Sequence, residues 1–195
     1  MKPLFTAFFL LFMAFMAAQR IWETFFSKKG KKGKKGKIIQ KWTFPVLSAL
    51  HFIVGIGTVI EYFAVQRTIN LGVSLIGLIM FFSALTLRMR VVRTLGDYHS
   101  VHIEMREEHP LIRKGPYRVM RHPYYVSVML ELLGFPLVGN AYYSFFVALF
   151  VYLPFLFLRI HFEEIAMEET FGDEYRKYKA EIPGFLPVRK HKALL

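Results

Sequence analysis

Arg113-Lys-Gly-Pro-Tyr-Arg-Val-Met-Arg-His-Pro-Tyr-Tyr125 is the stretch on which the fold turns. Arginine, histidine and tyrosine crowd a segment with two prolines that runs straight into apolar sequence. Gly115-Pro116 punctuates the chain as a turn. His122-Pro123 marks the start of a helix, because the fixed φ of proline suits a first helical turn and pushes the preceding residue out of the helical region. Cationic and hydrogen-bonding side chains are thus concentrated where a polar loop meets a membrane, a place suited to holding a polar cofactor beside a hydrophobic substrate.

Downstream, Leu132 to Leu158 is uncharged for 27 residues, longer than one span needs. Pro136 and Gly139-Asn140 interrupt the larger apolar region, which predicts a tight hairpin over 123–160 with arms Pro123–Val138 and Ala141–Ile160. Glu131 falls inside the first arm. An acid within a membrane is either functional or a structural group paired with a neighbouring helix. From His161 the sequence changes character: Phe162-Glu-Glu-Ile-Ala-Met-Glu-Glu-Thr-Phe-Gly-Asp-Glu-Tyr has helical spacing, and Pro183 and Pro187 end it. This predicts a cytoplasmic amphipathic helix continuing out of the fifth span.

Upstream, Arg88 to Arg121 is polar and charged, with His99, His102 and His109 beside Glu104, Glu107 and Glu108. The histidine spacings match no metal framework, so a cofactor-facing loop is expected and no metal. Thr68–Leu87 reads as a third span whose glycines permit close packing. Trp42–Ile60 is a second, and its His51 reads as a neutral core histidine. Glu61, Arg67 and Asn70 mark a short connection. Lys28 to Lys41 holds eight lysines and three tandem Lys-Lys-Gly units, a solvated loop attracted to anionic lipid headgroups. Without interleaved aromatic residues it offers no nucleic-acid site. Pro3 to Gln19 is charge-free and reads as a first membrane helix reaching about Phe26, since a cleaved leader would require export of the lysine run.

Composition agrees. Over 195 residues the chain is 54% hydrophobic with 21 phenylalanines, which points to an integral membrane protein. There is no cysteine, so disulfides, thiolate metal sites and cysteine nucleophiles are excluded. The net charge of +12 sits in the segments flanking apolar spans. Lysine and arginine number 8 in 28–41, 8 in 88–121 and 7 from Arg159 onward, and five spans put all three groups on one face, the cytoplasmic one. The expected fold is therefore all-α and multi-pass: about five transmembrane helices and a C-terminal cytoplasmic amphipathic helix. Residues 1–87 carry three spans and the lysine-rich loop, and 88–195 form a catalytic half.

Arg159 and Glu163 are four apart, so they share one face of the fifth helix as it leaves the bilayer. Alone, they read first as an interfacial ion pair that anchors a helix end and only second as an anion-binding arginine beside an acid.

Three motifs in order, Leu-Ile-Arg-Lys-Gly-Pro-Tyr-Arg-Val-Met-Arg-His-Pro-Tyr-Tyr, then Arg-Ile-His-Phe-Glu-Glu, then Phe-Gly-Asp-Glu-Tyr-Arg-Lys-Tyr before a proline, resemble the isoprenylcysteine carboxyl methyltransferase family over roughly residues 96 to 187. The resemblance implies a prokaryotic-type integral membrane enzyme that uses S-adenosyl-L-methionine without a Rossmann-type domain; no Gly-x-Gly-x-x-Gly motif is present. Carried over by position, it implies cofactor contacts from His109, Leu111, Ile112, Tyr117, His122, Pro123, Tyr124, Tyr125 and Glu163. Arg159 would hold the substrate and, with Glu163, form the catalytic pair. Pro110 and Ile112 replace commoner residues, and His102 stands where a glutamine assists the cofactor.

The resemblance further implies a lipophilic or lipidated acceptor entering from the bilayer. That acceptor is a prenylcysteine carboxylate, the family's namesake substrate, or an enolic or phenolic hydroxyl of a long-chain polyketide, as implied for short prokaryotic-looking members, the group that the Glu131-Leu-Leu stretch resembles. Two other classes stay open: an NADPH-dependent membrane reductase of sterol-like lipids, and a non-enzymatic membrane protein whose basic loops contact lipid.

Overall fold

The computed structural model describes residues 2–25, 37–96, 103–105 and 110–185. The helices are α1 (Lys2–Phe25), α2 (Thr43–Ala64), α3 (Leu71–Leu95), α4 (Pro123–Val138), α5 (Tyr142–Val147), α6 (Leu153–Phe171) and α7 (Asp173–Glu181). A single π turn, Ala148–Tyr152, joins α5 to α6 without a break, and a short 3-10 turn, Gly115–Arg118, precedes α4. Four helical stretches are long and apolar enough to cross a membrane: Lys2–Gln19, Thr43–Ala64, Leu71–Leu95 and Tyr142–Phe171. The expected fourth span, α4, is shorter, with 16 residues. At the α-helical rise it spans about 24 Å.

Short as it is, α4 is the axis of the bundle. Nine of its sixteen residues are buried, whereas α2 and α3 keep outer rows such as Phe52, Ile53 and Ile56, or Leu75, Ile76 and Ile79, exposed for lipid. Between apolar helices in lipid there is no hydrophobic force to hold them together, so close backbone packing takes its place. Gly77 on α3 faces Gly134 on α4, and a Cβ at Gly77 would lie 2.6 Å from the Val138 nitrogen and 2.7 Å from the Gly134 carbonyl oxygen. On the other side, α1 lays Phe5, Phe9 and Phe12 against the bundle. Phe12 meets Phe81 edge-on at 4.9 Å, and Phe9 sits 4.4 Å from the Tyr62 ring.

A polar knot closes the end of the bundle away from the Arg113–Tyr125 stretch. Glu61 was expected in a connection, but it lies in the last turn of α2 and is buried. Its carboxylate accepts hydrogen bonds from the Tyr143 and Ser144 backbone amides and from the Ser144 hydroxyl at 2.8–3.0 Å, which caps the otherwise unpaired N–H groups of α5. Arg67 pairs with Glu61 at 2.8 Å and lies over the Tyr142 and Tyr143 rings. Asn140, at φ +54°, turns the hairpin; its amide donates to Ser74 while its side-chain oxygen accepts from the Asn70 backbone.

The structure departs from the sequence expectation in three further places. Helix α3 runs on to Leu95, carrying Arg88, Arg90 and Arg93 on a helix instead of in a polar loop. Lys37–Ile39 pairs antiparallel with Ile103–Met105, a three-residue ladder added to the helical fold at the end of the lysine-rich segment. The tail helix is broken at Gly172, whose φ of +52° ends α6 and starts α7 in a new direction. Residues 28–36 of the lysine-rich loop lie outside the described residues.

Replacing Gly77 with leucine is expected to cost about 3 kcal/mol or more, because backbone rather than a flexible side chain stands in the way. Thermal unfolding in detergent should show a clear loss for Gly77→Leu and almost none for Gly55→Leu, where a Cβ meets nothing within 4 Å.

Candidate active site

A cavity of about 590 Å³ opens within the bundle. Its walls come from α1 (Met13, Met16), α2 (Phe44, Leu47, His51), α3 (Arg88), α4 (Tyr125, Val128, Glu131) and the π turn and α6 (Tyr152, Leu156, Arg159). Most of the lining is hydrocarbon or aromatic, with a few polar groups, the usual make-up of a small-molecule pocket.

Arg159 is 6% exposed and reaches this cavity from α6. Its Nε donates to the Tyr125 hydroxyl at 3.2 Å and its Nη1 donates to Thr43 Oγ1 at 2.7 Å. The Thr43 hydroxyl in turn donates to the Gln40 carbonyl at 2.9 Å, which fixes it at the start of α2. The Tyr125 hydroxyl donates to the Glu163 carboxylate. Arg159, Tyr125 and Glu163 therefore form one chain of contacts from the cavity to the polar side of the bundle.

Tyr117 faces the same acid from the 3-10 turn. Burial and the nearby Glu163 carboxylate push its phenol far above the usual tyrosine range, so it is a neutral donor at any working pH. Its backbone carbonyl accepts from Tyr178, whose phenol is pushed up to about 12, mainly by burial. Leu111 and Ile112 are half-buried in the extended segment before the turn, Pro123 is buried at the head of α4, and Tyr124 lines the cavity with its ring edge-on to Tyr125 at 6.1 Å. His109, like His99 and His102, lies outside the described residues.

His122 is buried and engaged elsewhere. Its Nε2 meets Glu164, not Glu163, at 2.8 Å, and its ring packs on Phe185. Glu164 also binds Arg121 at 2.6 Å and Lys179 at 2.9 Å. Hydrogen bonds to Glu168 and Glu164 raise the Lys179 pKa. Adjacent glutamates on α6 thus take different tasks: Glu163 faces Tyr125 and Tyr117, while Glu164 gathers three basic groups and ties α7 to the loop. The backbone amides of Arg121 and His122 donate to the Pro183 and Gly184 carbonyls, so the tail closes over the head of α4.

Several of these roles were not legible in the sequence. Arg113 and Arg121 were expected as membrane-edge charges along with Lys114 and Arg118. The latter two are exposed, but Arg121 is ion-paired and Arg113 lies over the Tyr178 ring and donates to the Glu174 carbonyl. Glu131 is paired with Arg88 of α3. His51 lines the cavity, its ring edge-on to Tyr152 at 6.2 Å. Nothing in the sequence around Thr43 signalled its contact with Arg159.

The fold and site define a multi-pass helical membrane protein with an intramembrane cavity joined to a polar head. The model of the isoprenylcysteine carboxyl methyltransferase (ICMT) family matches residues 75–169, a range that holds Tyr117, the His122–Tyr125 segment, Arg159 and Glu163. A protein of Oryza sativa subsp. japonica named as a probable protein-S-isoprenylcysteine O-methyltransferase is 32% identical over 117 residues, 59% of this chain and 61% of the relative. An uncharacterized protein of Haemophilus influenzae is 32% identical over 127 residues, 65% of this chain and 73% of the relative. The protein-S-isoprenylcysteine O-methyltransferase of Homo sapiens is 34% identical over 125 residues, 60% of this chain and 42% of the relative. The chain belongs to the isoprenylcysteine carboxyl methyltransferase family. It spans about three fifths of the length of the rice relatives it matches.

Removing the Glu164 carboxylate leaves Arg121, His122 and Lys179 without their shared acid. Glu164→Ala is expected to cost about 2 kcal/mol, in the range of hydrogen bonds to charged groups. Limited proteolysis should then cut within α7 faster than in the parent protein, while Glu169→Ala, at an exposed position, changes nothing.

Proposed function

We propose that this protein is an integral membrane methyltransferase that uses S-adenosyl-L-methionine to methylate an oxygen of a lipophilic acceptor. The observation that carries the reading is the chain of contacts from Arg159 through Tyr125 to Glu163, which joins a cation in an apolar cavity to an acid on the polar side. The groups on that polar side suit the cofactor chemically. Glu163 is an acceptor for ammonium and hydroxyl donors and favours a nearby positive charge. Tyr117 is a neutral donor, and Leu111, Ile112 and Tyr124 offer apolar and aromatic surface.

When bound, S-adenosyl-L-methionine supplies a methyl group on a positively charged sulfur, which an anionic oxygen takes by direct displacement. The protein's task is then mostly to position the two reactants. Arg159 holds the acceptor oxygen, and Thr43 and Tyr125 aim the guanidinium so that little reorganisation is needed. Its grip must not be so strong that the oxygen loses its reactivity. Tyr125 touches both Arg159 and Glu163, so it keeps acceptor and donor sites in register. His109 belongs with the cofactor contacts, and the His122-Pro123 turn, clamped by Glu164, shapes their seat.

The acceptor is a prenylcysteine carboxylate or an enolic or phenolic hydroxyl on a long-chain polyketide, reaching the cavity from the bilayer. In this reading residues 1–87 supply cavity wall and 88–195 supply the reacting groups. The distribution of lysine and arginine supports a cell-membrane protein whose catalytic face is cytoplasmic, with the lysine-rich segment against anionic headgroups.

The reading is tested with purified protein, labelled methyl donor and a membrane extract, followed by mass identification of the labelled lipid. Binding of S-adenosylhomocysteine without binding of NADPH is expected; the reverse would favour a reductase. Arg159→Ala should lower kcat/KM for methyl transfer by about 100-fold or more, with S-adenosylhomocysteine affinity little changed. Glu163→Gln should instead weaken S-adenosylhomocysteine binding by about tenfold, measured by calorimetry.

A further inference from the structure

The Arg88–Glu131 ion pair is the part of the cavity that the proposed chemistry does not use. Arg88 comes from α3 and Glu131 from α4, they are 3% and 1% exposed, and they are in direct contact. Both also line the cavity. Glu131 is six residues beyond Tyr125, so it stands about 9 Å deeper along the α4 axis at the α-helical rise. It lies at the middle of α4, where charge is most costly in a membrane and is kept chiefly where it lines a pocket or pathway.

A purely structural pair gains most from being sealed between helices, and α3 and α4 already meet backbone to backbone at Gly77 and Gly134. This pair is almost closed off as well, yet both of its residues form part of the cavity wall. The α4 wall therefore runs polar, apolar, polar through Tyr125, Val128 and Glu131. A hydrocarbon tail entering the cavity would lie against a carboxylate and a guanidinium with nothing to offer them. A tail with an oxygen at that depth gives Glu131 a hydroxyl to accept from, or Arg88 a carbonyl to donate to. Sites built to hydrogen-bond a ligand discriminate strongly against analogues that lack the group.

Resting on the methyltransferase reading of the same site, we infer that the Arg88–Glu131 pair is a second recognition point for the acceptor, reading a hydroxyl or carbonyl of its tail about 9 Å further along the α4 axis than Tyr125. The acceptor class is an oxygen acid whose long tail carries a second oxygen function, in preference to a prenyl chain, which is hydrocarbon throughout.

The test uses the full chain in lipid nanodiscs with labelled S-adenosyl-L-methionine and acids of equal chain length. These are a plain fatty acid, the same acid hydroxylated at successive positions, and a farnesylated N-acetylcysteine. The expected result is a maximum in kcat/KM for one hydroxyl position, about tenfold or more above the plain acid. The double variant Arg88→Met/Glu131→Leu, which removes both charges together, should bring that ratio to about one, and Glu131→Gln should lower it. Because the ratio is taken on one protein at a time, a loss of folded material cancels. Equal kcat/KM at every hydroxyl position, or a ratio untouched by the double variant, overturns the second recognition point alone. Methylation of none of these acids, with S-adenosylhomocysteine unbound, overturns the methyltransferase reading as well.

Discussion

A charge inside an apolar helix bundle has no water to turn to, so it must find its partner on another helix. That requirement aligns this molecule. Glu61 of α2 reaches the start of α5, Arg88 of α3 meets Glu131 of α4, and Arg159 of α6 reaches both Tyr125 of α4 and Thr43 of α2. Packing among Phe, Leu and Ile side chains tolerates sliding and rotation; a hydrogen bond to a buried guanidinium does not. The charges therefore act as register pins, and the glycine contact of α3 with α4 sets how closely the pinned helices approach.

The same pins divide the bundle by polarity. At one end the Glu61, Arg67 and Asn140 knot turns the hairpin, and none of these three residues lines the cavity. At the other, the loop, the 3-10 turn and the tail fold over the head of α4, held by Glu164 and by backbone hydrogen bonds to Pro183 and Gly184. Between them lies the cavity. Arg159 stands at the boundary, with its guanidinium on the apolar side and Glu163 beyond Tyr125 on the polar side. In the proposed function the greasy tail of the acceptor and the charged groups of the donor lie on opposite sides of this boundary, and only the reacting atoms meet at it.

Local features were legible in the sequence and distant partnerships were not. The bounds of α4 follow from Pro123 at its first position and Gly139-Asn140 after its end, and the structure places the helix at those residues. The motif around Tyr117, His122 and Tyr125 pointed to Glu163 and Arg159, which the fold does bring beside it. By contrast, Arg88, Arg90 and Arg93 looked like loop residues because charge usually ends an apolar span, yet the helix carries all three, with Arg88 buried against Glu131 and Arg90 and Arg93 exposed. Gly172 was the visible stop signal within the tail, overridden in the reading by helical spacing on both sides. Arg121 could not be told from Arg118 by sequence, since its partner Glu164 is 43 positions away and only the return of the tail brings them together.

The π turn at Ala148–Tyr152 sits between two fixed points on one continuous helix: Ser144, bound to Glu61, and Arg159, bound to Tyr125 and Thr43. Each residue of an α-helix turns the chain by about 100°, so losing or gaining one residue here would swing everything downstream round the axis. Glu163 and Glu164 would then exchange or lose their neighbours, although no atom near them had been altered. The residue count between Ser144 and Arg159 is thus held by two anchors rather than by bilayer thickness.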